Sequence, residues 1–254
     1  MTDKPIIVIG AGMCGISTAI WLHRSGHAVT LMDKGAPGMG ASFGNAGLLA
    51  GWAVAPVTSP TLWRDAPRLL LDPNSPLFMK WAHVPKMLPW LAQFLSHAND
   101  AATRRIVSNL IPLLSDTVDQ HKSLVRGTDL ERWVCDSKFS FVYKSKAHFE
   151  ADSYAWSMKK LAGLSPQIVT GRAVQDCEPI LGPDIQCLAV LEGQGHITNP
   201  GQYIAELAKH FVKNGGTLVQ AQVRDFIKTN GRIAQIETDQ GTFECSRAVI
   251  TAGI

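Results

Sequence analysis

Ile6-Ile7-Val8-Ile9-Gly10-Ala11-Gly12-Met13-Cys14-Gly15 is the stretch on which the fold turns. Four consecutive apolar residues, all β-branched, suit a strand buried on both faces of a parallel sheet. Three glycines follow in the spacing GxGxxG, and Ile16, Ala19, Ile20 and Leu22 then recur with the period of a helix. Ser25-Gly26-His27 ends that helix, Ala28 to Met32 reads as a second strand, and Asp33 stands at its end, eighteen residues past Gly15. Strand, glycine turn, helix, strand and acid in this order form a dinucleotide-binding unit. Gly10 permits the tight turn, Gly12 lets a pyrophosphate approach the backbone, and Gly15 lets the helix pack closely on the strand. The helix N-terminus offers unpaired N–H groups and about half a positive charge. Asp33 suits ribose hydroxyls and its charge opposes a 2′-phosphate. No Lys follows the glycines, which excludes a Walker A loop.

Working outward, the chain has 254 residues, 46% of them hydrophobic and 18% charged, with a net charge of +3. This composition is that of a globular protein with enough apolar surface for a core. So small a charge is not the footprint of a nucleic-acid binder. Cys14, Cys135, Cys177, Cys187 and Cys245 are odd in number and include no CxxC pair. They are expected to be free thiols of a reducing, cytoplasmic compartment. The uncharged run from Pro5 to Leu22 imitates a signal peptide or membrane span, but the glycines at its centre favour the strand-turn-helix reading. The histidines, acids and cysteines show no metal-ligand spacing, so no metal is expected.

FAD and NAD share the ADP half, so the glycine motif alone does not separate them. From Gly35 to Trp63 no residue is charged, and Gly38-Met39-Gly40-Ala41-Ser42-Phe43-Gly44-Asn45-Ala46-Gly47 cannot hold a regular helix. A NAD domain would continue into another helix and strand here. The break in alternation, with a glycine-dense loop able to lie close to a large flat ligand, favours FAD.

With these residues in view, the chain resembles the FAD-dependent D-amino acid dehydrogenases of the D-amino acid oxidase superfamily. The resemblance rests on the glycine motif, on Gly26-His27-x-Val29-Thr30, and most specifically on Ser42-Phe43-Gly44-Asn45-Ala46-Gly47. It continues through Leu69 to Pro73, Pro89-Trp90-Leu91, Glu178-Pro179 and Asn199-Pro200 to Ala248–Gly253. It implies an α/β fold with a Rossmann-like FAD-binding domain of the glutathione-reductase type and an inserted α+β substrate domain. The FAD-binding segments would be residues 1–60 and 196–254, and the substrate domain 61–195. By the same resemblance Gly10, Ala11, Gly12, Met13, Cys14 and Gly15 hold the pyrophosphate. Asp33 holds the adenosine ribose with Lys34 beside it, Ser42, Asn45, Ala46 and Gly47 line the pyrophosphate and isoalloxazine, and Val223 meets adenine through its backbone. The implied reaction is hydride transfer from a D-amino acid Cα to flavin N5, with electrons passed to a quinone or other carrier. Members of this family extend further, with more substrate-domain strands, a last FAD loop and the groups that hold the substrate carboxylate. The chain is therefore expected to be truncated at its C-terminus. A glycine or sarcosine-type oxidase that reduces O₂, and a non-catalytic FAD-binding fragment, remain open alternatives.

Beyond the motif, Leu77 to Leu95 mixes Trp81 and Trp90 with Lys80, His83 and Lys86. It reads either as an apolar helical face packed on the body or as an interfacial helix touching the cytoplasmic face of the inner membrane, with Pro85 and Pro89 as interruptions. Lys138 to Tyr143 alternates like a strand, and Ala151 to Ala162 has helical spacing. Asn199-Pro200 should cap a helix whose apolar face is Ile204, Leu207, Ala208 and Phe211, ended by Asn214-Gly215-Gly216. Strands are expected over Thr217 to Val223, Arg232 to Thr238 and Arg247 to Thr251. His83, His148 and His196 are isolated, and no catalytic side chain is nominated.

Overall fold

The computed structural model describes residues 4–63, 66 and 80–253. The Leu69–Pro73 part of the resemblance and Leu77–Met79 lie outside the described residues. The strands are β1 (Ile6–Ile9), β2 (Val29–Asp33), β3 (Leu48–Leu49), β4 (Val134–Tyr143), β5 (Gln167–Thr170), β6 (Cys187–Ile197), β7 (Thr217–Gln220), β8 (Val223–Thr229), β9 (Arg232–Thr238), β10 (Gly241–Glu244) and β11 (Arg247–Ile250). The α-helices are α1 (Met13–Arg24), α2 (Val84–Ser96), α3 (Asp100–Leu114), α4 (Thr117–Val125), α5 (Lys146–Ala151), α6 (Ser153–Leu161), α7 (Ala173–Cys177) and α8 (Pro200–Lys213).

The chain divides into two compact units. The first comprises Met1–Leu49, Val118–Asp136 and Gly195–Ile254, and the second Ala50–Thr117 and Ser137–Gln194. Val118–Asp136, which the sequence reading places within 61–195, thus packs with the first unit. The reason is visible in the core: Leu124, Val125 and Leu130 are buried in one cluster with Val8, Ile16, Ala19 and Leu207.

A parallel sheet of order β11-β1-β2-β7 organises the first unit. All four residues of β1 are buried, which is why that strand is apolar throughout. β1 pairs in register with β2 on one side (Ile9 with Met32) and with β11 on the other (Ile9 with Ile250). On the sheet lie α1, with Gly15, Ile16, Ala19 and Ile20 buried, and α8. The Asn199 side chain accepts from the Gln202 amide at 3.1 Å, and Pro200 occupies the first turn of α8. Tyr203, Ile204, Leu207 and Phe211 are each at most 2% exposed. Each such side chain contributes about 1.5–3 kcal/mol by leaving water.

The expected single strand from Thr217 to Val223 is two strands. β7 ends at Gln220 beside Asp33, and β8 begins at Val223 in a separate antiparallel sheet, β10-β9-β8. The break follows from the partners: the Ala221 amide donates to the Asp33 carbonyl, whereas the Gln222 amide donates to the Asp239 carboxylate. Asn230 (φ 52°) and Gly231 (φ 74°) make the tight β8–β9 turn.

In the second unit, α6 and β6 bury Trp156, Ala189 and Leu191 among Trp52, Phe141, Tyr143 and Phe149. α3 buries Val107 against Val54 and Met158. Pro85 and Pro89 do not interrupt the helix that holds them. Pro85 sits in the first turn of α2, where its missing N–H has no intrahelical partner to lose, and the helix continues past Pro89 to Ser96. Among the described residues no helix is long and apolar enough to cross a membrane. The uncharged run at Pro5–Leu22 is β1, the turn and most of α1, not a spanning helix.

Candidate dinucleotide-binding site

In an open parallel sheet the ligand crevice lies outside the carboxyl ends of the strands. Those ends bring Gly10, Asp33, Ala221 and Thr251 together here. Gly10 leaves β1 with φ +106°, a conformation L side chains rarely adopt, and its amide donates to the Met32 carbonyl at 2.7 Å. A Cβ at Gly10 would stand 2.6 Å from the Thr251 carbonyl oxygen. Gly12 is the N-cap of α1, with no side chain to occupy the helix end. The first turn of α1 also holds no acid, so its positive end is uncompensated from within. At Gly15 the approach is closest: a Cβ there would fall on the Gly10 carbonyl oxygen and lie 2.7 Å from Thr251 Oγ1.

The other expected residues converge on this turn. The Ala11 amide donates to one carboxylate oxygen of Asp33 at 2.7 Å, and the Gly35 amide to the other at 2.9 Å. The acid is therefore oriented by two backbone donors and remains half-buried at the strand end, open to further donors. Ser42 Oγ accepts from the Met13 amide at 3.2 Å, which places the glycine-dense loop over the start of α1. A Cβ at Gly12 would come within 3.3 Å of that hydroxyl. Asn45 braces the same loop: its Oδ1 accepts from the Gly47 amide at 2.8 Å and its Nδ2 donates to the Ser42 carbonyl at 3.1 Å. Gly47 has φ +68° and accepts from the Ile197 amide, and a Cβ there would fall on the Ile197 carbonyl oxygen. Ala46 and Cys14 are exposed, as is Lys34, whose carbonyl accepts from Gln220. Val223 lies two residues past Ala221, half-buried against the Ile7, Ile9 and Met32 cluster. Asn45, Ala46 and Gly47 lie further along, where β3 pairs with β6.

Thr251, which the sequence reading did not place in the site, contacts the glycine turn directly. Its amide donates to the Ile9 carbonyl at 2.7 Å. Its hydroxyl lies 2.8 Å from the Ile9 carbonyl oxygen and 3.0 Å from that of Gly10. It thereby clamps the glycine turn from the far end of the sequence. Its sequence signal was a threonine closing an apolar strand within the Ala248–Gly253 segment of the resemblance.

The histidines do not assemble a catalytic group. His83 and His148 are exposed, and His196 stands opposite Leu48 in the β3–β6 ladder. Among the described residues no three His, Cys, Asp or Glu side chains gather in a way that could hold a metal.

A dinucleotide fits this construction. The turn leaves no Cβ in the phosphate approach, the helix end is uncompensated, and an oriented carboxylate stands at the end of β2. The chain matches the family of FAD dependent oxidoreductases over residues 5–254. It is 32% identical over 253 residues to a D-amino-acid oxidase of Bradyrhizobium diazoefficiens, covering 98% of this chain and 60% of that protein. It is 27% identical over 257 residues to a D-amino acid dehydrogenase of Helicobacter pylori, again covering 98% and 60%. The chain thus spans about three-fifths of the length of these relatives. Among solved structures, glycine oxidase from Geobacillus kaustophilus superposes with a TM-score of 0.63 at 19% identity, covering all of this chain and 56% of that one. An L-amino acid deaminase from Proteus vulgaris gives 0.64 at 17%, covering 99% and 54%. These two likenesses establish the fold. The chain belongs to the FAD-dependent oxidoreductase family, and FAD is its cofactor.

Proposed function

We propose that the protein oxidises D-amino acids and passes the electrons to a quinone or other carrier. The observation that carries this reading is the match over 98% of the chain to relatives named for D-amino acids. When bound, FAD would supply the two-electron acceptor for oxidation of a D-amino acid to its 2-oxo acid and ammonia. The part of this chain is binding and orientation. The first turn of α1, which Gly12 leaves without a capping side chain and where Ser42 meets the Met13 amide, would stabilise the pyrophosphate without a basic side chain. Asp33 fixes the ribose while bonded to Ala11 and Gly35. Ser42, bonded to the Met13 amide, and the Asn45–Gly47 turn would line the phosphates and the path to the ring, and Val223 would offer its backbone to adenine.

A second reading, oxidation with O₂ as acceptor, is favoured by the name oxidase on the relative matched at 32% identity. One experiment tests both. The visible spectrum of the purified chain is recorded with FAD, first anaerobically with D-alanine and then after admission of air or a soluble quinone. Bleaching by D-alanine but not L-alanine, reversed by quinone and slowly by air, is the expected result. Rapid reversal by air with hydrogen peroxide formation replaces the carrier with O₂. Bound flavin that no D-amino acid bleaches refutes the activity for this chain.

A further inference from the structure

The glycine-dense loop Gly38–Gly47 is held in front by the dinucleotide turn and behind by α8. In front, the Gly38 amide donates to the Ala11 carbonyl at 2.9 Å, and Ser42 Oγ accepts from the Met13 amide at 3.2 Å. Behind, the loop lies so close to the first turn of α8 that three glycines leave no space for a Cβ. One at Gly38 would stand 3.0 Å from Ile204 Cγ2, and one at Gly47 would stand 3.2 Å from Pro200 Cγ. The third glycine, Gly201, belongs to α8 itself and faces Phe43. A Cβ there would stand 2.9 Å from Cδ2 of the ring and 3.3 Å from the Phe43 carbonyl oxygen.

Gly201 is buried and, unlike Gly38 and Gly47, has no positive φ, so its backbone would accept alanine. Alanine is also the better helix former. The reason for glycine at this position is therefore its neighbour, not its own conformation. Phe43 is the one aromatic residue between Gly38 and Gly47, and although 57% exposed it rests one part of its ring and its carbonyl on the bare Gly201 backbone. It directly follows Ser42, and its loop is braced by Asn45, which bonds both the Ser42 carbonyl and the Gly47 amide. A shift of the ring on its seat therefore moves Ser42 relative to α1. We propose that Phe43 seated on Gly201 is a latch that sets the position of Ser42 and Asn45 for FAD. Both are positioning residues, acting on the cofactor through the loop. The inference rests on the reading that places Ser42 and Asn45 at the cofactor, and it holds whatever the substrate, because neither readout below contains turnover.

The test compares the full chain with Phe43→Ala, Gly201→Ala, the two together, and Phe43→Tyr. FAD release is followed by stopped-flow displacement, and amide hydrogen exchange over residues 38–47 is measured on the FAD-free chain. Phe43→Ala should speed release about three- to tenfold, the effect of a ring that buries less than half of its surface. Gly201→Ala should speed release by a similar factor by unseating the ring, without loss of helicity in far-UV circular dichroism. Added to Phe43→Ala, it should change release by less than about twofold, because no ring is left to displace. Phe43→Tyr keeps the ring and should release FAD as wild type does. Exchange at the Gly38 and Gly47 amides, which donate to the Ala11 carbonyl and to Asn45 Oδ1, should rise in the alanine variants and not in Phe43→Tyr. Wild-type release from Phe43→Ala overturns the proposal. So do fully additive effects of the two alanines, which would give Gly201 a role independent of the ring. If the wild-type chain takes up no FAD, the placement of Ser42 and Asn45 at the cofactor fails by itself. Exchange then decides the latch alone, and unchanged protection in Phe43→Ala overturns it.

Discussion

Substituting Gly15 by Ala adds one methyl group at the tightest contact in the dinucleotide site. The new carbon would fall on the Gly10 carbonyl oxygen and stand 2.7 Å from Thr251 Oγ1. Neither neighbour yields easily. Gly10 is locked by its own hydrogen bond to Met32 and by the Thr251 hydroxyl, while α1 is held by Ile16 and Ala19, both fully buried. Relief therefore moves the first turn of α1 away from β1, at an overpacking cost of about 1–3 kcal/mol in stability. The same movement takes amides out of line with the pyrophosphate. Loss of one charge-assisted hydrogen bond to phosphate, at about 1.5–3 kcal/mol, lowers FAD affinity about ten- to hundredfold.

Gly26→Ala is the control. Gly26 also needs a positive φ (+86°), but a Cβ there meets nothing within 4 Å and it lies at the other end of α1. It should lose about 1–2 kcal/mol of stability through backbone strain alone and bind FAD as wild type does. The assays are FAD titration by quenching of flavin fluorescence and thermal unfolding of the apoprotein. If Gly15→Ala binds FAD within twofold of wild type, close packing of α1 on β1 does not set the phosphate site, and the reasoning fails. The same follows if both alanines lower affinity equally, since the loss would then track stability.

Thr251→Val removes the hydroxyl that bridges the Ile9 and Gly10 carbonyls, and should cost about 1–2 kcal/mol in stability with faster FAD release in stopped-flow displacement. Unchanged release would leave Thr251 with only a structural role. Asp33→Asn keeps the acceptor for one backbone amide but presents an NH₂ to the other, so FAD affinity should fall about tenfold or more in the same titration. Burial holds His121, whose ring lies 3.1 Å from the Tyr203 hydroxyl, below the ordinary histidine pKa. The unfolded chain then binds a proton that the folded chain resists, so stability should fall as pH drops below about 6.5. His121→Gln should flatten that slope in urea unfolding at stepped pH, and an unchanged slope would assign the acid sensitivity to another group.

What the sequence disclosed and what it withheld divide by the distance over which each reason acts. β1, the turn and α1 were legible because their causes are local: an apolar run buried on both faces, glycines where no Cβ fits, and a helix stopped at Ser25-Gly26. Asn199-Pro200 announced α8 in the same way, through a cap bond spanning three residues. Asn99 carries an equally local signal, since its side chain accepts from the Ala102 amide at 2.9 Å and opens α3. The break between β7 and β8 was not legible, because Thr217 to Val223 alternates suitably for one strand. It is set by Asp33 and Asp239, which claim neighbouring amides for different sheets. The clamp on the turn spans 241 residues, from Thr251 to Gly10, and no window of sequence contains both ends. It exists because β11 pairs with β1 residue for residue, so that Thr251 must follow Ile250 to the point where Gly10 follows Ile9. A motif search finds the glycine turn, but the residue that braces its geometry is specified by strand order. Any chain that keeps GxGxxG and changes the partner of β1 should therefore keep the fingerprint and lose the site.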